Sequence, residues 1–251
     1  MGKIFAIVNQ KGGVGKTTTA VNLSAALHDL GLKTLLCDFD PQANATSGLG
    51  IEKRKIKQSI YDVIINGVDV KNVIVQTKFG DVLPSSSDLA GAAVELIHAD
   101  SREFQLKNVL NQVRFDYDVI IVDCPPSLEM LTLNALSAAD AIVVPVQCEY
   151  YALEGLADLM NTLRTVKKKL NPRLELFGVI LTMFDGRTNF SNQVAQEVRR
   201  HFPGKVFTSV IPRNVRLAEA PSHGVPVMNY DRSSRGSVAY RNLAEEFKNK
   251  L

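Results

Sequence analysis

A chain of 251 residues with 45% hydrophobic and 22% charged side chains has the balance of an ordinary globular protein, long enough to bury a core without disulfides. Its net charge of +3 permits nucleic-acid binding without demanding it and excludes a histone-like composition. No apolar run approaches the roughly 18 residues a membrane-spanning helix needs, and Met1-Gly2-Lys3 leads into an apolar strand rather than a secretory leader, so a cytoplasmic protein is expected.

In chain order, Ile4-Phe5-Ala6-Ile7-Val8 reads as a buried strand, followed by a glycine-rich turn and a helix over residues 20–30 with Val21, Leu23, Leu27 and Leu30 at helical spacing. Thr34-Leu35-Leu36-Cys37 is the next strand and ends on Asp38-Phe39-Asp40. Glu52-Lys53-Arg54-Lys55 is a charge run in a surface excursion. Pro84-Ser85-Ser86-Ser87 reads as a strand-to-helix loop with Ser87 or Asp88 as cap. Further strands fall at Val119-Ile120-Ile121-Val122, Ala141-Ile142-Val143-Val144 and Phe177-Gly178-Val179-Ile180-Leu181. A helix is expected over residues 153–170, with Lys167-Lys168-Lys169 at its carboxyl end, and Leu243, Phe247 and Leu251 mark a C-terminal helix. Strands apolar on both faces alternating with helices predict a doubly wound α/β fold: a mostly parallel β-sheet flanked by helices. With no repeat or linker, residues 1–251 read as a single domain. Cys37, Cys124 and Cys148 form no CxxC pair and read as inert thiols.

The chemistry sits where such sheets bind ligands, at the carboxyl ends of strands. Lys11-Gly12-Gly13-Val14-Gly15-Lys16-Thr17-Thr18 joins the first strand to the first helix. Glycines let backbone N–H groups converge on phosphate oxygens, and the helix N-terminus adds partial positive charge. Lys16 is placed to reach the β- and γ-phosphates, and the Thr17 hydroxyl suits Mg²⁺. The ordinary phosphate-loop pattern has glycine where this chain has Gln10, and Lys11 is an additional lysine. Asp38 and Asp40 share a facing at the end of the second strand. Asp123, after an apolar strand, has the setting of a Walker B aspartate that holds Mg²⁺.

Lys11-Gly12-Gly13-Val14-Gly15-Lys16-Thr17 resembles the deviant Walker A loop of the P-loop ATPase superfamily that includes ParA/Soj, MinD and the nitrogenase iron protein. Pro145 to Gly155, Leu181 to Asn189 and Ile211 to Ser222 look like the short ParA/Soj partitioning ATPases in particular, and a resemblance that covers essentially residues 1–251 implies a single P-loop ATPase domain with no separate N-terminal DNA-binding domain. The resemblance implies ATP and Mg²⁺ as cofactors and slow ATP hydrolysis. It also implies a homodimer sandwiched on nucleotide, with Lys11 reaching the partner's phosphates. It assigns Asp40 to orienting the attacking water, Asp38 to the magnesium shell, and Pro212 and Asn214 to the neighbourhood of the adenine. Further implications are non-specific binding of duplex DNA on the nucleoid and stimulation by a ParB-like centromere-binding protein. Candidate phosphate-contacting cations are Arg187, Arg213, Arg216, Arg235 and Lys248, of which Arg187 and Arg216 match family positions. Two other readings belong to the same superfamily. A MinD-like membrane-associated positioning ATPase needs a C-terminal amphipathic helix free to insert, which residues 244–251 do not resemble. An iron–sulfur carrier needs cysteines placed to bridge two subunits.

Overall fold

The structure is a computed structural model, and the residues described are 1–98, 100–149 and 152–251. Strands β1 (Lys3–Ile7), β2 (Thr34–Asp38), β3 (Val75–Thr77), β4 (Gly80–Leu83), β5 (Val119–Asp123), β6 (Ala141–Gln147) and β7 (Glu175–Thr182) form one sheet in the order β3-β4-β2-β5-β1-β6-β7. All neighbours are parallel except β3 with β4. The helices in chain order are α1 (Lys16–Asp29), α2 (Asn44–Gly48), α3 (Ile60–Ile65), α4 (Val70–Val73), α5 (Leu89–Glu95), α6 (Gln105–Val113), α7 (Met130–Ala138), α8 (Ala152–Lys169), α9 (Asn189–His201), α10 (Val215–Glu219), α11 (Val227–Tyr230) and α12 (Arg235–Asn249).

The pleat of β1 divides the interior. Ile4, Ala6 and Val8 join one core with side chains of α6, α7, α8 and α9, while Phe5 and Ile7 join a second core with α1 and α12. This makes the three-layer α/β/α arrangement that the sequence predicts, and β1, β5 and β2 are buried almost throughout because helices cover both faces. On the α12 side, Phe5 meets Phe177 and Phe247 edge-on at centroid distances of 4.8 Å each. The C-terminal helix spends its apolar face here, with Tyr240, Leu243 and Phe247 all buried and the Tyr240 hydroxyl 3.1 Å from that of Thr19. Among the described residues no helix is long and apolar enough to cross a membrane.

Two strands escape the sequence reading. β3 has three residues and is largely exposed, and β4 holds Gly80 and Asp81, so neither offers a contiguous apolar run. The expected side-chain cap at Ser87 or Asp88 is absent. The turn into α5 closes instead through backbone bonds from Leu89, Ala90 and Gly91 to the carbonyls of Ser86, Ser87 and Asp88.

Register sets the active edge. Asp38 and Ile7 both pair with Asp123, so the carboxyl ends of β2, β5 and β1 finish level with one another. The chain winds outward from β1 in both directions, which opens a crevice above that row.

Candidate nucleotide site and neighbouring basic cleft

The loop between β1 and α1 is shaped by glycine. Gly13 and Gly15 have φ of 73° and 89°, and Gly15 is the residue immediately before α1. A β-carbon is strained at either position. The first turn of α1 carries no acidic residue, so its amide dipoles face the crevice uncompensated. Val14 is buried, and its carbonyl accepts from Thr182 Oγ1 at 2.8 Å, which ties the loop to the end of β7. Lys16 is 7% exposed and folds back so that its Nζ donates to the Lys11 carbonyl at 3.1 Å, the posture of a lysine encircled by its own loop. Burial lowers its pKa, opposed by the charges of Asp123 and Asp40.

The three aspartates do different work. Asp38 is saturated: one carboxylate oxygen accepts from the Thr46 amide and hydroxyl, both at 2.7 Å, and the other accepts from the Asp40 amide at 3.3 Å. Burial pushes its carboxyl up to about 6 even though the Thr46 bonds favour the charged form. Asp40 Oδ1 accepts from the Gln42 amide at 2.9 Å, and the Asp40 carbonyl accepts from Ser85 Oγ at 2.8 Å. Asp123 is fully buried with the Thr17 side chain beside it, which favours its charged form, yet among the described residues neither carboxylate oxygen has a partner at full hydrogen-bonding geometry. Burial raises its pKa, and the neighbouring Asp38 adds to the rise. An orphaned carboxylate in such a place is costly unless a cation or its water completes it. Asp123 and Thr17 therefore fit a magnesium ion. Among the described residues no three His, Cys, Asp or Glu side chains converge as a cage.

Two cavities meet above the loop. One of about 330 Å³ is lined by Gly12, Gly13, Gly15, Lys16, Thr17, Thr18 and Asp40, with Gln42 and Asn44 opposite. The other, about 360 Å³ and largely apolar, is lined by Pro212, Arg213, Asn214, Val215, Leu217 and Tyr240. Gly15, Thr18 and Met183 line both. A polar phosphate chamber joined to an apolar base chamber is the shape a nucleoside triphosphate requires. Met183, with φ 50°, stands at the junction; it lies within the segment Leu181 to Asn189 that resembles the family, but nothing in that segment assigns it a role. Asn214 also caps α10 by accepting from the Arg216 amide at 3.0 Å.

Lys11 is turned away from its own phosphate chamber. Its Nζ pairs with Glu149 at 2.8 Å, and its amide donates to Asn9 Oδ1 at 3.0 Å. Gln147 donates to the other oxygen of Glu149. Neither Glu149 nor Thr46 stands out in the sequence, because each acquires its role through a contact that only folding creates.

Of the five basic candidates, Arg187, Arg213 and Arg235 line one open cleft of about 830 Å³, next to the base chamber and sharing Pro212 and Arg213 with it. Arg187 is forked on Asp185, with Nε and Nη2 donating at 2.9 and 2.8 Å. Those bonds hold the Asp185 carboxyl down at about 2. Arg216, on α10, pairs with Glu219 at 2.7 Å and Asp231 at 3.3 Å. Lys248 is not brought to this cleft. It sits at the far end of α12, where its Nζ donates to the Leu30 carbonyl at the carboxyl end of α1. Cys37, Cys124 and Cys148 are buried and unpaired, and burial pushes the Cys148 thiol up to about 11.

A family described as an AAA domain matches residues 2–176. The chain is 57% identical to the sporulation initiation inhibitor protein Soj of Bacillus subtilis over 248 residues, 98% of each chain. It is 50% identical to the chromosome partitioning protein ParA of Myxococcus xanthus, covering 98% of this chain and 88% of that protein. Among solved structures, a cobyrinic acid a,c-diamide synthase from Mycobacterium smegmatis with bound ADP and magnesium aligns with a TM-score of 0.85 at 38% identity, over 98% of this chain and 93% of that one. With a phosphate loop carrying the additional Lys11, an unpartnered Asp123 beside Thr17, and identity sustained over nearly its whole length, the chain belongs to the Soj/ParA family of chromosome-partitioning P-loop ATPases.

Proposed function

We propose that this protein is an ATP-hydrolysing DNA-segregation switch of the cytoplasm. ATP with Mg²⁺ draws two copies into a sandwich dimer, the dimer holds duplex DNA of the nucleoid without reading bases, and hydrolysis stimulated by a ParB-like centromere-binding protein releases it. The observation that carries this reading is the shared wall between the base chamber and the arginine cleft: Pro212 and Arg213 line both. Occupancy of the nucleotide site thus bears directly on the cations offered to a phosphate backbone.

Within this reading, Lys16 and the amides of the glycine-rich loop bind the phosphates, and Thr17 and Asp123 hold magnesium. That ion, when bound, neutralises charge developing on the phosphates. Asp40 orients the attacking water. Asp38, saturated by Thr46 and Asp40, supports the ion's surroundings by fixing α2 to the end of β2. Lys11, held outside its own chamber by Glu149, is the group available to a second subunit's phosphates. A cation that arrives only on association ties dimerisation and turnover to one event, and charge supplied in trans is worth about 10³–10⁵ in rate in related enzymes.

The MinD-like alternative asks for a C-terminal helix free to enter a membrane surface. Here α12 has already committed Tyr240, Leu243 and Phe247 to the core, which disfavours it. The deciding experiment is fluorescence anisotropy on a random-sequence duplex without nucleotide, with ADP and with ATP plus Mg²⁺, at several salt concentrations. Binding confined to ATP and falling steeply with salt is expected. No binding in any condition, with ATP-dependent sedimentation on anionic vesicles, moves the assignment to the membrane reading.

A further inference from the structure

The backbone just after Asp40 is held in a conformation that needs holding. Ala43 has φ 51° and ψ 38°, the left-handed region that a residue with a β-carbon occupies only when its surroundings impose it. Behind it, the Ala43 amide bonds the Asp40 carbonyl at 2.9 Å and the Gln42 amide bonds the Asp40 carboxylate at 2.9 Å. Beyond it, the Ser47 amide and Oγ donate to the Ala43 carbonyl at 3.2 and 3.3 Å, Ser85 Oγ holds the Asp40 carbonyl, and one further restraint comes from the charge run downstream. Lys53 Nζ donates to the Gln42 carbonyl at 2.5 Å and to Asn44 Oδ1 at 3.1 Å, spanning Ala43 from both sides. Lys53 belongs to the charge run 52–55, which sequence alone reads as a solvated excursion. Lys55 pairs back within the run to Glu52 at 2.7 Å. Lys53 instead leaves the run and grips the rim of the phosphate chamber, whose wall includes Gln42 and Asn44.

We propose that Lys53 is a positioning residue for ATP hydrolysis: by clamping residues 42–44 across the strained Ala43 it fixes the Asp40 carboxylate, which it does not itself touch. The inference rests on the ATPase reading above and on the role assigned there to Asp40. A charge-assisted bond to a carbonyl is stronger than a neutral one. Lys53 is exposed, so its removal costs the fold little and acts on the loop. The Gln42 amide anchors Asp40 Oδ1, so slack at residue 42 becomes misdirection of the carboxylate, and misplacement by about 1 Å costs up to about a hundredfold in rate.

The test uses the full chain with saturating duplex DNA and two readouts: steady-state ATP hydrolysis, and hydrogen exchange of the Gln42 and Ala43 amides without nucleotide. Lys53→Ala should lower kcat about tenfold, with KM for ATP within about twofold of wild type, and should speed exchange at both amides. Lys53→Arg keeps a donor and should recover most of the loss. Adding Ala43→Gly to Lys53→Ala should recover part of it, because glycine adopts this φ without strain. Unchanged exchange at those amides overturns the proposal, as does an unchanged kcat in an active protein, or a loss that arginine does not rescue and that comes with a raised KM. If wild type hydrolyses no ATP while Lys53→Ala still loosens the loop, the ATPase reading fails and the clamp stands without its catalytic purpose.

Discussion

Three cations that the proposed cycle assigns to phosphate are each held by a carboxylate of their own chain: Lys11 by Glu149, Arg187 by Asp185, and Arg216 by Glu219 and Asp231. Exposed pairs of this kind contribute little to folding and are readily traded for another anion. In the proposed cycle Asp185 therefore competes with DNA for Arg187. Asp185→Asn should tighten ATP-dependent DNA binding severalfold in anisotropy, and Arg187→Glu should weaken it and lower the salt slope by about 1 while leaving ATP-driven dimerisation intact. The Asp185 carboxyl, held at about 2, stays ionised across mildly acidic and neutral pH, so acidification in that range should not free Arg187. Asp40→Ala should keep nucleotide binding and the dimer but abolish turnover; unchanged turnover removes Asp40 from its role. Residues such as Lys16, Thr17 and Asp123 are legible in the sequence because adjacent residues define their motifs. Glu149, Met183 and Thr46 are not legible in their roles, which rest on side-chain contacts that only folding creates, across the chain for Glu149 and across one loop for Thr46, or, for Met183, on a backbone angle that no motif encodes.

Elements show the same division. β1, β2, β5, β6 and β7 announce themselves as apolar runs, whereas β3, an exposed three-residue strand at one edge of the sheet, and its neighbour β4, which holds Gly80 and Asp81, offer none. The short helices α2, α10 and α11 escape notice too, since four or five residues carry no periodicity. Their order comes from specific bonds: Thr46 to Asp38 for α2, the Asn214 cap for α10, and the Val227 amide to Asn22 Oδ1 for α11. α12 is the opposite case, with a buried apolar stripe that the spacing of Leu243 and Phe247 foretells. Phe247 lies among Phe5, Phe177 and Phe207, so Phe247→Ala should destabilise the fold by about 3–5 kcal/mol in a denaturant titration, the cost of emptying an aromatic site in a packed core. A helix meant for a membrane surface would lose far less. The effect thus separates the two readings at the level of one element.

At the scale of the molecule, the nucleotide chamber and the arginine cleft sit side by side at one end of the sheet, and Lys248 marks the other end, thirteen residues and about 20 Å of helix away from Arg235. The DNA-facing surface proposed here is therefore local to the nucleotide end. Lys248→Ala should leave DNA affinity unchanged where Arg235→Ala lowers it; equal losses would extend the surface along the whole of α12. The pairing of Lys11 with Glu149 carries a consequence for association itself. In the proposed dimer that lysine does not acquire a partner but changes one, so joining two subunits is an exchange reaction in which ionic contacts are conserved in number. Exchange of that kind is nearly indifferent to ionic strength, whereas loading the finished dimer onto a polyanion expels bound counterions and is not. Two salt titrations on the same sample, one following dimer formation and the other following DNA, should accordingly diverge: a shallow line for the first, a steep one for the second.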